Sequence, residues 1–475
     1  SREGWSKLLS NVANSLMTGG GVGVVYTPVR GKDEHIRGMG GKSTGPVSLM
    51  QMNNECGRHI IQGGSRRSAL WAGLHWWDPD CEYFITIKDW PEWLKERKKI
   101  DFNTPAPMDG TNISVILDSD FFNAIYDPFW SKTYKLGNTS FTLTHKDAQK
   151  RYWLSVEHML RTGEPGFSVD NGINEGENLR NACTEVTSST NGDMCNLLSL
   201  NMARIYTKEE FNTLTELGII FLLCGTLYSK LPLPEMYKVR ETTRRLGLGL
   251  MGVHEWLLRR ERRYGPDDEL GEWLDLYSKS GDFANIYADK LGISRPVATR
   301  SIAPTGTISI AAETTGGIEP IFASAYLRRY LKDGTKWHAQ YVLDATAKRL
   351  VDDGVDPDLI EDSYTLSEDI DRRILFQTWV QQHVDHGISS TLNLPAWGSS
   401  INNENTVKTF ATKLLKYLPN LRGITVYPDG ARGGQPLTRL GYSEAIRRGV
   451  GIEFMEQDES NIPEGAFCKG GLCGE

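Results

Sequence analysis

Helical and strand-like patterns alternate along almost the whole chain, and this alternation limits the folds open to it. The first pattern is helical: Trp5, Leu8, Leu9, Val12, Ala13, Leu16 and Met17 recur at helical spacing. Gly19-Gly20-Gly21-Val22-Gly23 ends it, and the strand-like Val24-Val25-Tyr26 follows. Further helices are predicted over 47–61, 207–228, 238–260, 269–290, 335–352, 369–386 and 405–418. Short β-type runs fall at 111–117, 299–302 and 423–427. No internal repeat is visible, so the pattern predicts an α/β barrel or a layered α/β domain, not a solenoid. With 475 residues, 39% hydrophobic and 24% charged, the chain has the composition of a folded globular protein. Residues 1–455 read as the folded part, and 456–475, acidic and then Gly-rich, read as a flexible tail.

Several function classes are excluded at this level. A net charge of −7 gives no global attraction for nucleic acid, so phosphate binding must be local. The apolar run 217–223 is too short to cross a bilayer and reads as buried helix. No signal peptide opens the chain, and a start at Ser1 reads as a processed or truncated N-terminus. Seven scattered cysteines are not a secreted disulfide framework, and no paired Cys-x-x-Cys motifs suggest a metal. A reducing, cytoplasmic setting and no membrane partner follow as expectations. Gly41-Lys42-Ser43 imitates the end of a P-loop, but Ile36 stands where its first glycine belongs. The 259–263 arginine cluster reads as a solvated helix end, and Cys224 as core.

The sharpest chemical feature is Asn181-Ala182-Cys183-Thr184-Glu185. In an extended segment, residues two apart share a side, so Asn181, Cys183 and Glu185 would offer an amide, a thiol and a carboxylate to one pocket. A carboxylate beside a hydroxyl can act as general base, and an amide can hold that hydroxyl by hydrogen bonds. Downstream, Pro304-Thr305-Gly306-Thr307-Ile308-Ser309 puts small hydroxyl residues and a glycine before an apolar stretch, either a capped helix or an anion site. Cys468 and Cys473 form a Cys-x4-Cys pair in the tail, a spacing that permits a disulfide.

Taken with Gly163-Glu164-Pro165-Gly166-Phe167, Cys195-Asn196-Leu197 and Gly317-Ile318-Glu319-Pro320, these segments make the chain resemble the ribonucleotide reductase catalytic subunits over nearly its whole length. The resemblance implies a catalytic ten-stranded α/β barrel over 1–455, with a central finger loop carrying the radical cysteine, Cys183, at its tip. It implies that Glu185 deprotonates the 3′-hydroxyl and that Asn181 orients the ribose. Pro304–Ser309 would bind substrate phosphates, and Gly20 and Gly21 the substrate. Cys195 matches one member of a reducing cysteine pair. The family carries the other on a strand before the segment 19–23, which is not visible here, so a companion chain or removed segment, or Cys56 or Cys81, would have to supply it. Cys468 and Cys473 would form a swinging dithiol recharged by a thioredoxin- or glutaredoxin-like donor.

The loop with Arg37 and Lys42, and the loop with Gln62, Ser65, Arg66 and Arg67, resemble the loops that bind a dNTP or ATP effector and select the base reduced. The substrate would be a ribonucleoside di- or triphosphate, and an oligomer is possible. Ser65-Arg66-Arg67-Ser68-Ala69, His383-Val384-Asp385 and Thr391-Leu392-Asn393-Leu394-Pro395 resemble the adenosylcobalamin-dependent class most. The class with a separate metal-containing radical subunit has two adjacent tyrosines where Val426 precedes Tyr427 here. Two alternatives stay open: the same reaction with a ferritin-like radical subunit, and a split or inactive nucleotide-binding scaffold.

Overall fold

The computed structural model of the chain describes residues 1–455 apart from 37, 39, 63–65, 101–103, 172–175, 333–335 and 432–436. Ser1 caps α1 (Arg2–Met17), accepting a hydrogen bond from the Gly4 amide. β1 (Val22–Val25) and α2 (Pro46–Arg58) follow, then β2 (Leu70–His75), β3 (Thr111–Leu117), α3 (His145–Thr162) and β4 (Gly166–Val169). β1 to β4 pair in chain order, all parallel. β2 is buried at every position, as expected of a parallel strand covered on both faces.

The second half comprises β5 (Asn196–Asn201), α4 (Lys208–Tyr228), β6 (Leu246–Met251), α5 (Gly306–Ala311), α6 (Ile370–Gln381), β7 (Thr391–Leu394) and β8 (Gly423–Pro428). β8 runs antiparallel to β4 and parallel to β7. Parallel bridges Ile302–Ile388 and Leu248–Arg300 carry the pairing from the β7 segment through 300–302 to β6, which pairs parallel with β5. Two parallel blocks running in opposite directions therefore meet at β4 and β8. Among the described residues nothing pairs with the outer edges of β1 and β5. The expected ten paired strands and closed barrel are accordingly not formed by these residues; the ring stays open at that seam. Of the two main apolar cores, one, around Trp76, Phe121, Tyr152 and Phe167, also takes in Leu392 of β7 and Ile424 and Val426 of β8, and the other lies around Leu248, Trp256, Trp273 and Phe376.

Two predicted helices prove to contain strands. The 238–260 stretch is helix Pro234–Thr243, then β6, then helix Val253–Leu258. In β6 leucines alternate with Gly247 and Gly249, and packing decides the outcome. A Cβ at 247 would lie 2.4 Å from Leu197 Cδ2, and one at 249 would lie 2.6 Å from the Ser301 carbonyl. The 335–352 stretch is strand Lys336–Leu343, with period-two Trp337, Ala339, Tyr341 and Leu343, before helix Ala345–Asp352. That strand belongs to a separate four-stranded antiparallel sheet with Ala325–Lys332, Leu437–Leu440 and Glu453–Met455.

α3 was not legible as a helix, yet its start carries a capping box, Thr144 with Asp147 three residues on. Gly163 ends it in the left-handed conformation, and its face Ala148, Tyr152, Val156 and Met159 is buried. α4 is long and apolar enough to cross a membrane by length and composition. Here it buries Phe211, Gly218, Ile219, Leu222 and Leu223 in the core that includes Leu248 and Leu250 of β6. Cys224 of α4 is exposed, not core: it falls on the opposite face from that stripe.

Candidate active site

The segment 177–195 lies between the two blocks. Leu179–Arg180 and Thr187–Ser188 form a short antiparallel hairpin, and Asn181 to Thr184 form its turn, the Thr184 amide donating to the Asn181 carbonyl at 3.1 Å. Thr184 has φ +69°, a strained choice for a β-branched residue, directly after the Cys183 thiol. The backbone is thus a turn where an extended strand was expected. Asn181 still braces it, its Oδ1 accepting from the Val186 amide at 3.1 Å.

The first block holds the segment by close approach. A Cβ at Gly23 of β1 would sit 1.6 Å from the Arg180 carbonyl oxygen, and one at Gly21 would sit 3.2 Å from the Ala182 Cβ. Asn112 of β3 donates its side-chain amide to the Ala182 carbonyl at 2.9 Å. Gly23→Ala is therefore expected to destabilise the protein by about 2–4 kcal/mol, since the colliding atom is backbone on both sides. Chemical denaturation would measure this, and an unchanged midpoint would refute the contact.

A buried ion network anchors the hairpin. Glu177 pairs with Arg245 at 2.9 Å and Arg422 at 2.6 Å, and Arg245 also pairs with Asp193 at 2.6 Å. Arg180 donates to the Val169 carbonyl at 3.0 Å, and burial with Arg422 nearby pulls its guanidinium down to about 9. The Arg245 guanidinium, Arg422 and their hydrogen bonds hold Glu177 below the usual carboxylate range against the burial that raises it. Arg245→Leu would leave Glu177 and Asp193 short of a buried counter-charge. The expected loss is about 3–5 kcal/mol, which urea unfolding would read.

A large cleft of about 2030 Å³ opens beside this segment. Gly20, Gly21, Asn181, Cys183, Glu185 and Cys195 all line it. Glu185 is 2% exposed, and burial pushes its carboxyl up to about 7 against an opposing hydrogen bond from Asn181. Its Oε2 is buried and makes no hydrogen bond. Burial, with the Glu185 and Asp193 charges, also pushes the Cys195 thiol up. Gly247 leaves room for that thiol, because a Cβ there would lie 3.0 Å from its Sγ. The arrangement offers a thiol, a carboxyl group that titrates near neutrality, an amide and a second thiol to one bound molecule.

Not every expected residue joins this cleft. Pro304, Thr305, Gly306, Thr307, Ile308 and Ser309 do not line it. Thr305 caps α5 in a left-handed conformation and accepts from the Gly317 amide at 2.8 Å. Lys42 does line the cleft, so one of the two effector-type loops opens into it. Cys56 and Cys81 do not line it, and Cys81 is fully buried. Arg37, Ser65, Cys468 and Cys473 lie outside the described residues, as do the side chains of Gln62, Arg66 and Arg67. Among the described residues no group of three or more His, Cys, Asp or Glu is placed to hold a metal ion. Sequence reasoning missed Asn112, Ser301, His386 and Gly387, which contact the segment from far along the chain. Asn112 and Ser301 lie in the β-type runs 111–117 and 299–302, and the His383-Val384-Asp385 motif falls next to His386, but none of these marked a contact with the segment.

Residues 3–152, 131–271 and 294–427 match the family described as ribonucleotide reductase, barrel domain. A vitamin B12-dependent ribonucleoside-diphosphate reductase of Thermoplasma acidophilum is 27% identical over 480 residues, covering 90% of this chain and 60% of that protein. The enzyme of the same name from Mycobacterium tuberculosis is 25% identical over 487 residues, covering 90% of this chain and 65% of its own length. A putative adenosylcobalamin-dependent ribonucleoside-triphosphate reductase of Mycobacterium phage D29 is 26% identical over 455 residues, covering 84% of this chain and 60% of its own. The chain thus spans less than two thirds of each of these relatives. The α/β architecture and these matches lead to one conclusion: the chain belongs to the ribonucleotide reductase barrel-domain family.

Proposed function

We propose that the chain reduces ribonucleotides to deoxyribonucleotides through a thiyl radical on Cys183. The observation that carries this reading is the meeting of Asn181, Cys183, Glu185 and Cys195 in one cleft. In this reading the Cys183 radical takes the 3′ hydrogen of a ribonucleoside di- or triphosphate while Glu185 accepts the 3′-hydroxyl proton and Asn181 orients the ribose. The 2′-hydroxyl leaves as water. Cys195 and a partner cysteine supply two electrons and become a disulfide, and Cys183 recovers its radical when it returns hydrogen to C3′. Burial of the segment limits side reactions of the radical.

The seam between β1 and β5 is where a tenth strand would close the ring. Such a strand would run beside Cys195, which makes it the fitting carrier of the partner cysteine. Pro304–Ser309 does not line the cleft, so its phosphate role in this reading rests on the resemblance alone, while Lys42, with the other residues of the two loops, keeps its effector role. Cys468 and Cys473 would pass electrons from a thioredoxin-like donor. The cleft, with Leu197, Phe221 and Met194 among its walls, has the size and apolar surface for a bulky cofactor against the thiol, and among the described residues its lining includes no histidine. Adenosylcobalamin, when bound, supplies the one-electron chemistry that removes hydrogen from the Cys183 thiol.

The test combines the chain and any missing strand-bearing segment with adenosylcobalamin, a ribonucleotide, a dNTP and a dithiol. Deoxynucleotide formation without a metalloprotein is expected. Activity appearing only with a ferritin-like radical subunit would replace the cofactor assignment. No product under either condition would favour the inactive scaffold.

A further inference from the structure

Two extended segments of the second block, around Ser301 and Gly387, contact the Cys183–Glu185 segment. The Gly387 amide donates to the Glu185 carbonyl at 2.8 Å, and the Ser301 hydroxyl donates to the same oxygen at 3.0 Å. These two positions are held together by backbone bonds, Ile302 N–H to the Gly387 carbonyl and His386 N–H to the Arg300 carbonyl. Gly387 also stands where a side chain cannot. A Cβ there would lie 2.9 Å from the Thr184 carbonyl oxygen and 3.4 Å from the Glu185 Cα. The obstacle on the segment is backbone, so a larger residue would push the Thr184–Glu185 peptide away and carry Cys183 and the Glu185 carboxyl with it.

His386 acts at the next turn of the chain. It is fully buried, and its Nδ1 accepts from the Thr187 amide at 3.1 Å. An amide can only donate, so Nδ1 carries no proton and the ring hydrogen sits on Nε2. The Thr187 hydroxyl lies 3.2 Å from the same nitrogen and donates to Glu177 at 3.1 Å, which ties the imidazole to the buried ion network. Burial and the Arg245 charge hold the imidazole well below its usual range, at about 4, so the acceptor persists at neutral pH.

We infer that Gly387 and His386 are positioning residues for the Cys183–Glu185 segment, Gly387 by admitting its backbone and His386 by fixing the Thr187 amide. Neither residue lines the cleft. The inference rests on the reading of Cys183 and Glu185 as the reacting pair, but its geometric content can be measured without turnover.

The experiment compares Gly387→Ala, His386→Leu and His386→Asn in the full chain. Asn is chosen because its side-chain oxygen stands near the place of Nδ1 and can accept the same hydrogen bond. Three readouts are taken: the rate of Cys183 alkylation by iodoacetamide from peptide mass spectrometry, hydrogen exchange over 183–188, and the thermal midpoint. Gly387→Ala is expected to change the alkylation rate by about tenfold or more, and kcat by about a hundredfold with KM within about threefold, as misplacement by an ångström does. His386→Leu is expected to speed exchange over 183–188 by about tenfold, and His386→Asn to restore it to within about threefold. Folded Gly387→Ala and His386→Leu with wild-type alkylation and exchange would overturn the inference. If Gly387→Ala does not fold, the Leu and Asn pair decides: equal exchange in the two overturns it. Should the wild-type chain prove inactive as a reductase while alkylation and exchange behave as expected, the loss falls on the catalytic reading and the positioning stands.

Discussion

With Cys183 as the proposed radical carrier, Cys183→Ser is expected to abolish reduction while leaving nucleotide affinity within about threefold, a difference of about half the 1.4 kcal/mol that a tenfold change represents. The substitution changes one atom in a turn set by backbone bonds, Thr184 N–H to the Asn181 carbonyl and Gly387 N–H to the Glu185 carbonyl. The fold therefore has little reason to respond. The chemistry does: an O–H bond is stronger than an S–H bond, so forming the radical at this position becomes steeply uphill. Each ~1.4 kcal/mol added to the barrier costs a factor of ten, and a loss of at least about 10⁴-fold is expected. Chromatographic detection of deoxynucleotide measures it. Turnover by the Ser variant near the native rate would remove Cys183 from the centre of the mechanism.

Glu185→Gln has a second large effect, and its sign differs between activity and stability. As the general base of the proposed mechanism, Glu185 would have to be a carboxylate. Its carboxyl is raised from 4.5 to about 7 by burial, so kcat/KM should rise with pH and level off above about 7. Replacement by Gln should cut turnover by about 10²–10⁴-fold and remove that rising limb. Stability moves the other way. A carboxyl whose folded pKa exceeds its unfolded value favours folding fully below 4.5, and this contribution is lost as pH rises through about 7. Ionising the buried group thus weakens the wild-type protein at pH 8 by on the order of 3 kcal/mol, because each tenfold change in proton affinity on folding is worth about 1.4 kcal/mol. Gln carries no such cost, so the variant should gain stability relative to wild type between pH 5 and pH 8. Urea unfolding at the two values checks this, and a constant gap would show that Glu185 ionises without penalty.

The two effects together describe a site that sacrifices stability for chemistry. Thr184 is held at positive φ, Glu185 carries a buried oxygen without a hydrogen bond, and Cys195 is a half-buried thiol near carboxylates. Each feature would be unfavourable in an ordinary core. They persist because the Glu177, Arg245, Asp193 and Arg422 network and the glycines at 21, 23 and 387 over-determine the segment around them.

Much was legible in the residues alone. The periodicity of α1, α2, α4 and α6 marks them as helices, because their apolar positions repeat at 3.6. The run 111–117 reads as a strand, and its structure is β3. The spacing of Asn181, Cys183 and Glu185, with Cys195 twelve residues on, was enough to nominate the site. Local chemistry determined these features, so a local reading could find them. β6 and Lys336–Leu343 were misread because apolar runs with helical coincidences were settled by neighbours. Leu197 and Ser301 approach β6 only in the folded chain, at glycines whose missing side chains look locally like flexibility.

By itself the sequence determined the α/β class and the family and nominated the candidate reacting groups, since all three reside in residue types and their local order. Only the tertiary structure decided that the three site residues share a cleft through a turn and not through an extended strand. It alone brought Gly387, His386 and Ser301 against a segment more than a hundred residues earlier. It also left the outer edges of β1 and β5 unpaired among the described residues. The physical reason is that exclusion of a side chain, pairing of a buried charge and satisfaction of a backbone amide are properties of two distant stretches at once. Neither stretch carries a mark of the other until the chain has closed around them.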